Sequence, residues 1–254
     1  MKKTILVTGS TDGIGLKAAE LLAQAGHHVL LHGRNAEKAK KVEDNIRQQG
    51  GSVRTYIADL SRIEEVENLA TRVADDQDAL DVLINNAGVF KTSEPITTDG
   101  LDVRFVVNTI APYLLTQRLL PLLGKSARVI NLSSAAQAPV NLKALLGEVR
   151  LPDMEAYAQS KLALTMWSRV MGLSHGDGGP IVVSVNPGSM LGTKMVQQAF
   201  GVAGGDVRIG ADILQRAALS NEFAAASGQY FDNDSRQFAD PHPDALDPHK
   251  ATKL

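Results

Sequence analysis

Tyr157 and Lys161 are the residues of this chain best placed to do chemistry. They lie in a stretch expected to be helical from about residue 156, and side chains four apart on a helix share one face. A free phenol has a pKa of about 10, too high for easy proton exchange at neutral pH. An ammonium about 4 Å away contributes roughly 4 kcal/mol at an effective dielectric near 20, before any desolvation cost. That is enough to pull the phenol towards neutrality, where it can serve as a general acid or base. The spacing by itself is weak, because such pairs arise by chance. What precedes it gives it weight.

The chain opens with an apolar run of strand length, Thr4 to Thr8, followed by Gly9-Ser10-Thr11-Asp12-Gly13-Ile14-Gly15 and a helical pattern to about Ala25. A strand, a glycine turn and a helix in that order form a phosphate cradle. Glycine lets backbone approach the ligand, and the helix N-terminus offers free N–H groups and a positive dipole to a pyrophosphate. The spacing here is G-x-x-x-G-x-G rather than the commoner G-x-G-x-x-G. A purely structural turn is the alternative reading.

Further motifs follow in order: Asn85-Asn86-Ala87-Gly88, Asn108, Ser133-Ser134, Tyr157 with Lys161, and Pro187-Gly188. Together with Thr8-Gly9 and Gly13-Ile14-Gly15, their order and distances resemble the short-chain dehydrogenase/reductase family, from about Lys3 to Phe231. Ser160-Lys161-Leu162-Ala163, the long gap between Ser134 and Tyr157, and Gly228-Gln229-Tyr230-Phe231 resemble its retinol-dehydrogenase and protochlorophyllide-reductase side.

The resemblance implies an NAD(P)-dependent oxidoreductase that moves hydride between the nicotinamide and a carbonyl or alcohol. Ser134, rather than Ser133, would hydrogen-bond the substrate carbonyl, and Tyr157 would deliver the proton. Lys161 would lower the tyrosine pKa and hold the nicotinamide ribose. Asn108 would kink its helix and support a water relay to the lysine; a buried amide satisfied by backbone is the alternative. For the cofactor, the resemblance points to Gly9, Ser10, Thr11, Asp12, Gly13, Ile14 and Gly15 at the phosphates. It points to Asp59 and Leu60 at the adenine, with a helix-capping role for Asp59 equally physical. Asn86, Ala87 and Gly88 would face the cofactor, with Asn85 mainly structural, and Pro187 and Gly188 would wrap the nicotinamide. Thr193 resembles a cofactor-binding threonine but lies one residue later than usual.

The end of the second strand favours NADP over NAD. An acid there would hold a ribose 2′-hydroxyl, whereas an arginine pairs with a 2′-phosphate. This chain has Gly33 where members of the resembled family that use NAD usually carry the acid, then Arg34 and Asn35; a surface arginine opening a helix is the alternative, and Lys38 is either a second cation or, with Lys40 and Lys41, part of a solvated face.

To place these residues, apolar strand-length runs alternate with amphipathic stretches, the pattern of a parallel sheet covered on both faces. The expected class is α/β, a doubly wound Rossmann sheet of about seven strands: Thr4–Thr8, His28–His32, Val53–Ala58, Val82–Asn85, Arg128–Leu132, Ile181–Val185 and Gln229–Phe231. Helices are expected at roughly 14–25, 36–48, 62–76, 100–123, 156–172 and 207–219. One domain should span 1–254, with an insertion at 137–155 near the substrate and a tail rich in Asp and Pro at 232–254.

Composition narrows the function classes. The formal charge of −2 gives no reason to expect nucleic acid or an acidic membrane as a partner. The absence of cysteine excludes disulfides and thiolate catalysis. His28 and His32 share a strand face without nearby carboxylates, so no metal site is expected. The longest apolar stretch, 110–123, is interrupted by Gln117 and Arg118 and is too short for a bilayer. A cytoplasmic enzyme acting on a small carbonyl or alcohol is the expectation, with Val89, Phe90, the insertion and Ser189-Met190-Leu191 as an apolar substrate wall. Surplus apolar surface on the helices around 101–123 and 155–172 predicts a homodimer or homotetramer. A non-catalytic NADP-sensing module that acts through a protein partner is the main alternative. A scaffold stabilised by nucleotide is another.

Overall fold

The alternating apolar runs build one eight-stranded sheet in the order β3-β2-β1-β4-β5-β6-β7-β8. It is seen in a computed structural model that describes all 254 residues apart from the side chain of Asp177. The strands are β1 (Thr4–Val7), β2 (His28–Gly33), β3 (Ser52–Ile57), β4 (Val82–Asn85), β5 (Arg128–Leu132), β6 (Ile181–Asn186), β7 (Tyr230–Asp232) and β8 (Gln237–Ala239). The first seven run parallel, and β8 turns back antiparallel on β7.

Successive residues of a strand point to opposite faces, and both faces are buried. Ile5, Val7, Val29, Leu31, Ile84 and Ile130 pack on one side under α1 (Gly13–Gln24), α2 (Ala36–Gln48) and α9 (Val207–Leu219). Leu6, Leu30, Leu83 and Val129 pack on the other under α3 (Ile63–Asp76), α5 (Ala111–Leu119) and α7 (Asp153–His175). Each fully buried side chain of this size contributes about 1.5–3 kcal/mol. That explains why the strand cores read as continuous Val, Ile and Leu.

Four features differ from the sequence reading. The helix expected over 100–123 is shorter and interrupted. It consists of α4 (Val103–Phe105), a π-helical turn at Val106–Ile110 and then α5, ending in a 3-10 turn at Leu120–Leu122. The Ala111 N–H reaches back to the Val106 carbonyl, which widens the turn at the point where Pro112 has no N–H to give. The insertion carries one short helix, α6 (Leu142–Leu145), and the helix carrying Tyr157 starts early, at Asp153. A helix with little sequence periodicity, α8 (Lys194–Phe200), follows β6.

The tail is also more ordered than its composition suggests. It supplies β8, α10 (Pro243–Leu246) and α11 (Pro248–Ala251). Ala245, Ala251 and Leu254 cover Leu162 and Met166 on the outer face of α7. Among the described residues, no helix is long and apolar enough to cross a membrane.

Candidate active site

In a sheet wound this way the crevice lies beyond the carboxyl ends of the strands, on either side of β1 and β4. The glycine turn, Asn86–Gly88, Ser134 and Pro187–Gly188 all follow strand ends at that rim.

The turn requires its glycines. Gly9 has φ +65, and a Cβ there would sit 2.9 Å from the Ala87 Cα. A Cβ on Gly15 would meet the Asn86 Nδ2 at 2.2 Å and the Gly9 carbonyl at 2.4 Å. The result is bare backbone facing the start of α1, with Asp12 capping the helix through a bond from Gly13 N at 2.8 Å. Phosphates fit such a cradle.

Two residues expected at the cofactor hold the cradle through their side chains. Ser10 is fully buried: its Oγ accepts from His32 N at 2.8 Å and donates to the His32 carbonyl at 3.2 Å. Asn86 Nδ2 donates to the Thr8 and Gly9 carbonyls at 2.8 and 3.2 Å. A hydroxyl or amide with this many backbone partners within reach satisfies them before any ligand. Asn85 is structural as expected, donating to Asn131 Oδ1 and Thr116 Oγ1. His32 is buried beneath the turn. Gly9 N donates to its Nδ1 at 3.1 Å, which leaves the proton on Nε2 to donate to the Ala58 carbonyl at 3.1 Å. Burial pushes its pKa down to about 4.

At the end of β2, Thr11, Arg34, Asn35, Glu37, Lys38 and Lys41 line a cavity of about 430 Å³. Three cations converge on it. Asn35 caps α2 through a bond from Lys38 N at 2.8 Å, so its side-chain oxygen is occupied. A Cβ on Gly33 would lie 2.6 Å from the Thr11 Cγ2. An acid at this position therefore cannot enter without displacing Thr11. At the end of β3, Asp59 Oδ1 accepts from Ser61 N and Oγ in a local turn, while Leu60 is buried in the core.

The residues expected to react come from the end of β5 and from α7. Ser133 points inward, its hydroxyl 2.6 Å from Thr165 Oγ1. Ser134 bears the hydroxyl on the site side, where its Oγ accepts from Ala136 N at 3.1 Å. Tyr157 lies on α7 with its ring edge-on to Phe90, centroids 5.1 Å apart. Lys161 Nζ is 5.8 Å from the Tyr157 ring centroid and donates to the Leu132 carbonyl at 2.7 Å. An ammonium has three donors, so two remain for a ligand. A Cβ built on Gly88 would face Asn108 Oδ1, Lys161 Nζ and the Met195 methyl at 3.4, 3.6 and 3.8 Å. The bare Gly88 thus leaves room beside the lysine where a ribose fits.

The electrostatics differ from the sequence expectation. Burial raises the Tyr157 pKa, with the Ser134 hydroxyl pulling the other way. Burial also lowers Lys161 to about 8. The ammonium is turned to the Leu132 carbonyl and is itself desolvated, so desolvation outweighs the attraction predicted from the i, i+4 spacing. Asn108 sits in the π-helical turn, where its Oδ1 accepts from Val89 N at 2.8 Å. Its Nδ2 donates to the Val89 carbonyl at 2.9 Å and to Ser160 Oγ at 3.0 Å. The regular helix breaks at Asn108, as the resemblance implies, and the amide also clamps the strand-end loop to α7.

Thr193 caps α8 by accepting from Val196 N at 3.2 Å, and its methyl faces Gly13. Asn233 Nδ2 donates to the Pro187 carbonyl at 2.9 Å. Asp234 accepts from Ser189 N and Oγ and from Asn186 Nδ2. The β7–β8 turn therefore holds the Pro187-Gly188 loop.

One residue the sequence reading passed over is Arg104, buried to 1 % exposure. Its guanidinium forms two bonds to Asp102, at 2.8 and 2.6 Å, and pairs with Asp153 at the first turn of α7. A charge one helical turn before Asn108, in an otherwise apolar run, was the available signal.

The comparisons agree with this geometry. The family model described as short chain dehydrogenase matches residues 3–201. Retinol dehydrogenase 13 from Homo sapiens is 30% identical over 273 residues, covering 99% of this chain and 82% of the relative. The landomycin C-6 ketoreductase LanV, solved with bound NADP and rabelomycin, superposes with a TM-score of 0.72 at 31% identity. It covers 91% of this chain and 94% of the other. The RhlG/NADP active-site complex of Pseudomonas aeruginosa gives a TM-score of 0.74 at 25% identity, covering 91% and 94%. By its motifs, its sheet and these matches, the chain belongs to the short-chain dehydrogenase family, on the retinol-dehydrogenase-like side.

Proposed function

We propose that the protein is an NADPH-preferring oxidoreductase that reduces an apolar aldehyde or ketone, or oxidises the matching alcohol. The observation that carries this reading is the convergence of Ser134, Tyr157 and Lys161 beside the bare Gly88. The dinucleotide supplies a hydride when bound. The chain's own residues handle the oxygen and the proton. Ser134 orients the carbonyl oxygen, and Tyr157, whose burial keeps the phenol protonated, donates to it as general acid. Lys161 retains donors for ribose hydroxyls and keeps positive charge beside the developing phenolate.

Preference for NADPH is supported by Arg34, Lys38 and Lys41 around one cavity and by the lack of space for an acid at Gly33. An apolar substrate is supported by Phe90, which packs edge-on against Tyr157 at 5.1 Å and stacks on Phe200 at 6.0 Å. Exposed Met190, Leu146 and Met154 belong to the segments expected to form the substrate wall. A homodimer is favoured by Tyr113, Val170 and Leu173, exposed on α5 and α7. The tail leaves that part of α7 free while covering Leu162 and Met166. Light scattering should give a mass near twice 27.1 kDa, and a single-chain mass rejects the assembly.

The decisive test of the chemistry is Tyr157→Phe, assayed with NADPH across apolar carbonyls. Turnover should fall by roughly a hundredfold or more while NADPH affinity stays within a few-fold. Retained turnover would overturn the mechanism.

A further inference from the structure

Asp12 lies in the glycine turn and does two things. Its Oδ1 caps α1. Its Oδ2 receives two ammonium groups from separate parts of the chain: Lys38 of α2 at 2.6 Å and Lys194 of α8 at 2.8 Å. Lys38 lines the basic cavity beyond β2, and Lys194 is the first residue of the helix that lies over the site. One carboxylate thus joins the cavity at the far end of the cradle to the cover at its near end.

The arrangement is electrostatically incomplete. Two ammonium groups share one carboxylate oxygen, leaving one surplus positive charge. Arg34, in the same cavity, makes no ion pair among the described residues. The lysines pull the Asp12 pKa down to about 2, against the effect of burial, so it is ionised at all ordinary pH. A fixed negative charge at the mouth of a phosphate cradle opposes the ligand that the cradle is shaped for. It also occupies two of the cations that would attract that ligand.

We infer that Asp12 is an internal counterion that the phosphates of the cofactor displace: it holds Lys38 back from a 2′-phosphate and pins α8 to the glycine turn through Lys194. It would therefore set how strongly NADPH is preferred over NADH, and it would couple arrival of the cofactor to release of the cover. The inference rests on the reading that the basic cavity takes the 2′-phosphate. Lys38 meets only the cofactor that carries this group, so removing the Asp12 charge should favour NADPH more than NADH.

The test is Asp12→Asn in the full-length chain, which keeps the oxygen that caps α1 and removes only the charge. Dissociation constants for NADPH and NADH are measured at low salt by cofactor fluorescence, and cleavage within residues 189–205 is followed by limited proteolysis without cofactor. NADPH binding should tighten roughly three- to tenfold and NADH binding by less, as expected for a partly exposed pair. Cleavage of the cofactor-free cover should become faster. Lys194→Gln should reproduce the faster cleavage without changing the ratio of the two affinities. Weaker or unchanged NADPH binding, or an equal gain for both cofactors, overturns the counterion. Arg34→Ala separates the two levels. If it fails to weaken NADPH selectively, the 2′-phosphate reading falls and takes this inference with it. If it is selective while Asp12→Asn changes nothing, only the counterion is wrong.

Discussion

The two sides of the site are held by different means. On the cofactor side each turn of the cradle is fastened by buried partners. His32 carries Gly9, Ser10 bonds twice to the His32 backbone, and Asn86 ties Thr8 to Gly9. On the substrate side α8 buries none of its side chains. It is attached by the Phe200–Phe90 stack, the Lys194–Asp12 pair and a short backbone ladder among Met190, Gly192 and Gly205. Elements with few buried contacts open at little cost in free energy. The difference indicates a pre-formed seat for a ligand of constant shape under a cover that can move without unfolding the protein.

The largest effect should come from Arg104, which braces the substrate side from below. Arg104→Met leaves the buried Asp102 carboxylate without its partner and should cost about 3–5 kcal/mol of stability. Urea unfolding measures the loss. Surviving folded protein should bind NADPH within a few-fold of the wild type but turn over more slowly, because Asp153 and Phe90 flank Tyr157. An equal collapse of cofactor binding would show that the two sides are not separable.

His32 tests the cofactor side. Its folded pKa, about 4, lies below the unfolded value of 6.5, so the unfolded chain takes up the proton first as the pH falls. The stability linked to His32 is complete above pH 6.5 and is lost between 6.5 and about 4, reaching about 3 kcal/mol. Unfolding midpoints should therefore drop between pH 7 and 5 in the wild type and drop less in His32→Gln. Parallel curves would remove His32 as the brace of the glycine turn.

Arg34→Ala should weaken NADPH about ten- to a hundredfold, the equivalent of 1.5–3 kcal/mol for a charge-assisted contact, and NADH far less. Equilibrium binding decides it, and an equal loss for both would place Arg34 outside the 2′-phosphate contact. The smallest effect is expected at the cover. Phe200→Ala should change stability by no more than about 1 kcal/mol and raise KM for apolar substrates several-fold at unchanged kcat. A large loss of stability would contradict a loosely held cover.

Much of this was legible in the chain. Parallel strands buried on both faces appear as unbroken apolar runs, so the seven parallel strands were readable to within a residue or two. Clustered glycines at strand ends mark where backbone must approach a ligand, so the rim of the crevice was readable too. The choice of Ser134 over Ser133 needed the resemblance; the structure supplies its reason, since the neighbouring hydroxyl bonds inward to Thr165. The tail misled because β8, α10 and α11 are too short to show a period, and they are stabilised by what they cover.

The sequence by itself determined the order of elements and the position of the cradle, and its resemblance pointed to the proposed reacting trio. These depend on residue type and on near neighbours along the chain. Tertiary structure decided the rest. It gave the side chains of Ser10, Asn86 and Asn108 their structural bonds, because a polar side chain bonds to whichever buried partner the fold brings within reach. It raised the Tyr157 pKa where local spacing predicted the reverse, because desolvation depends on everything packed around a group and not on its neighbour one turn away. It also brought Lys38 and Lys194, which are 156 residues apart in the chain, onto one oxygen of Asp12. No periodicity in the sequence encodes a meeting over that distance.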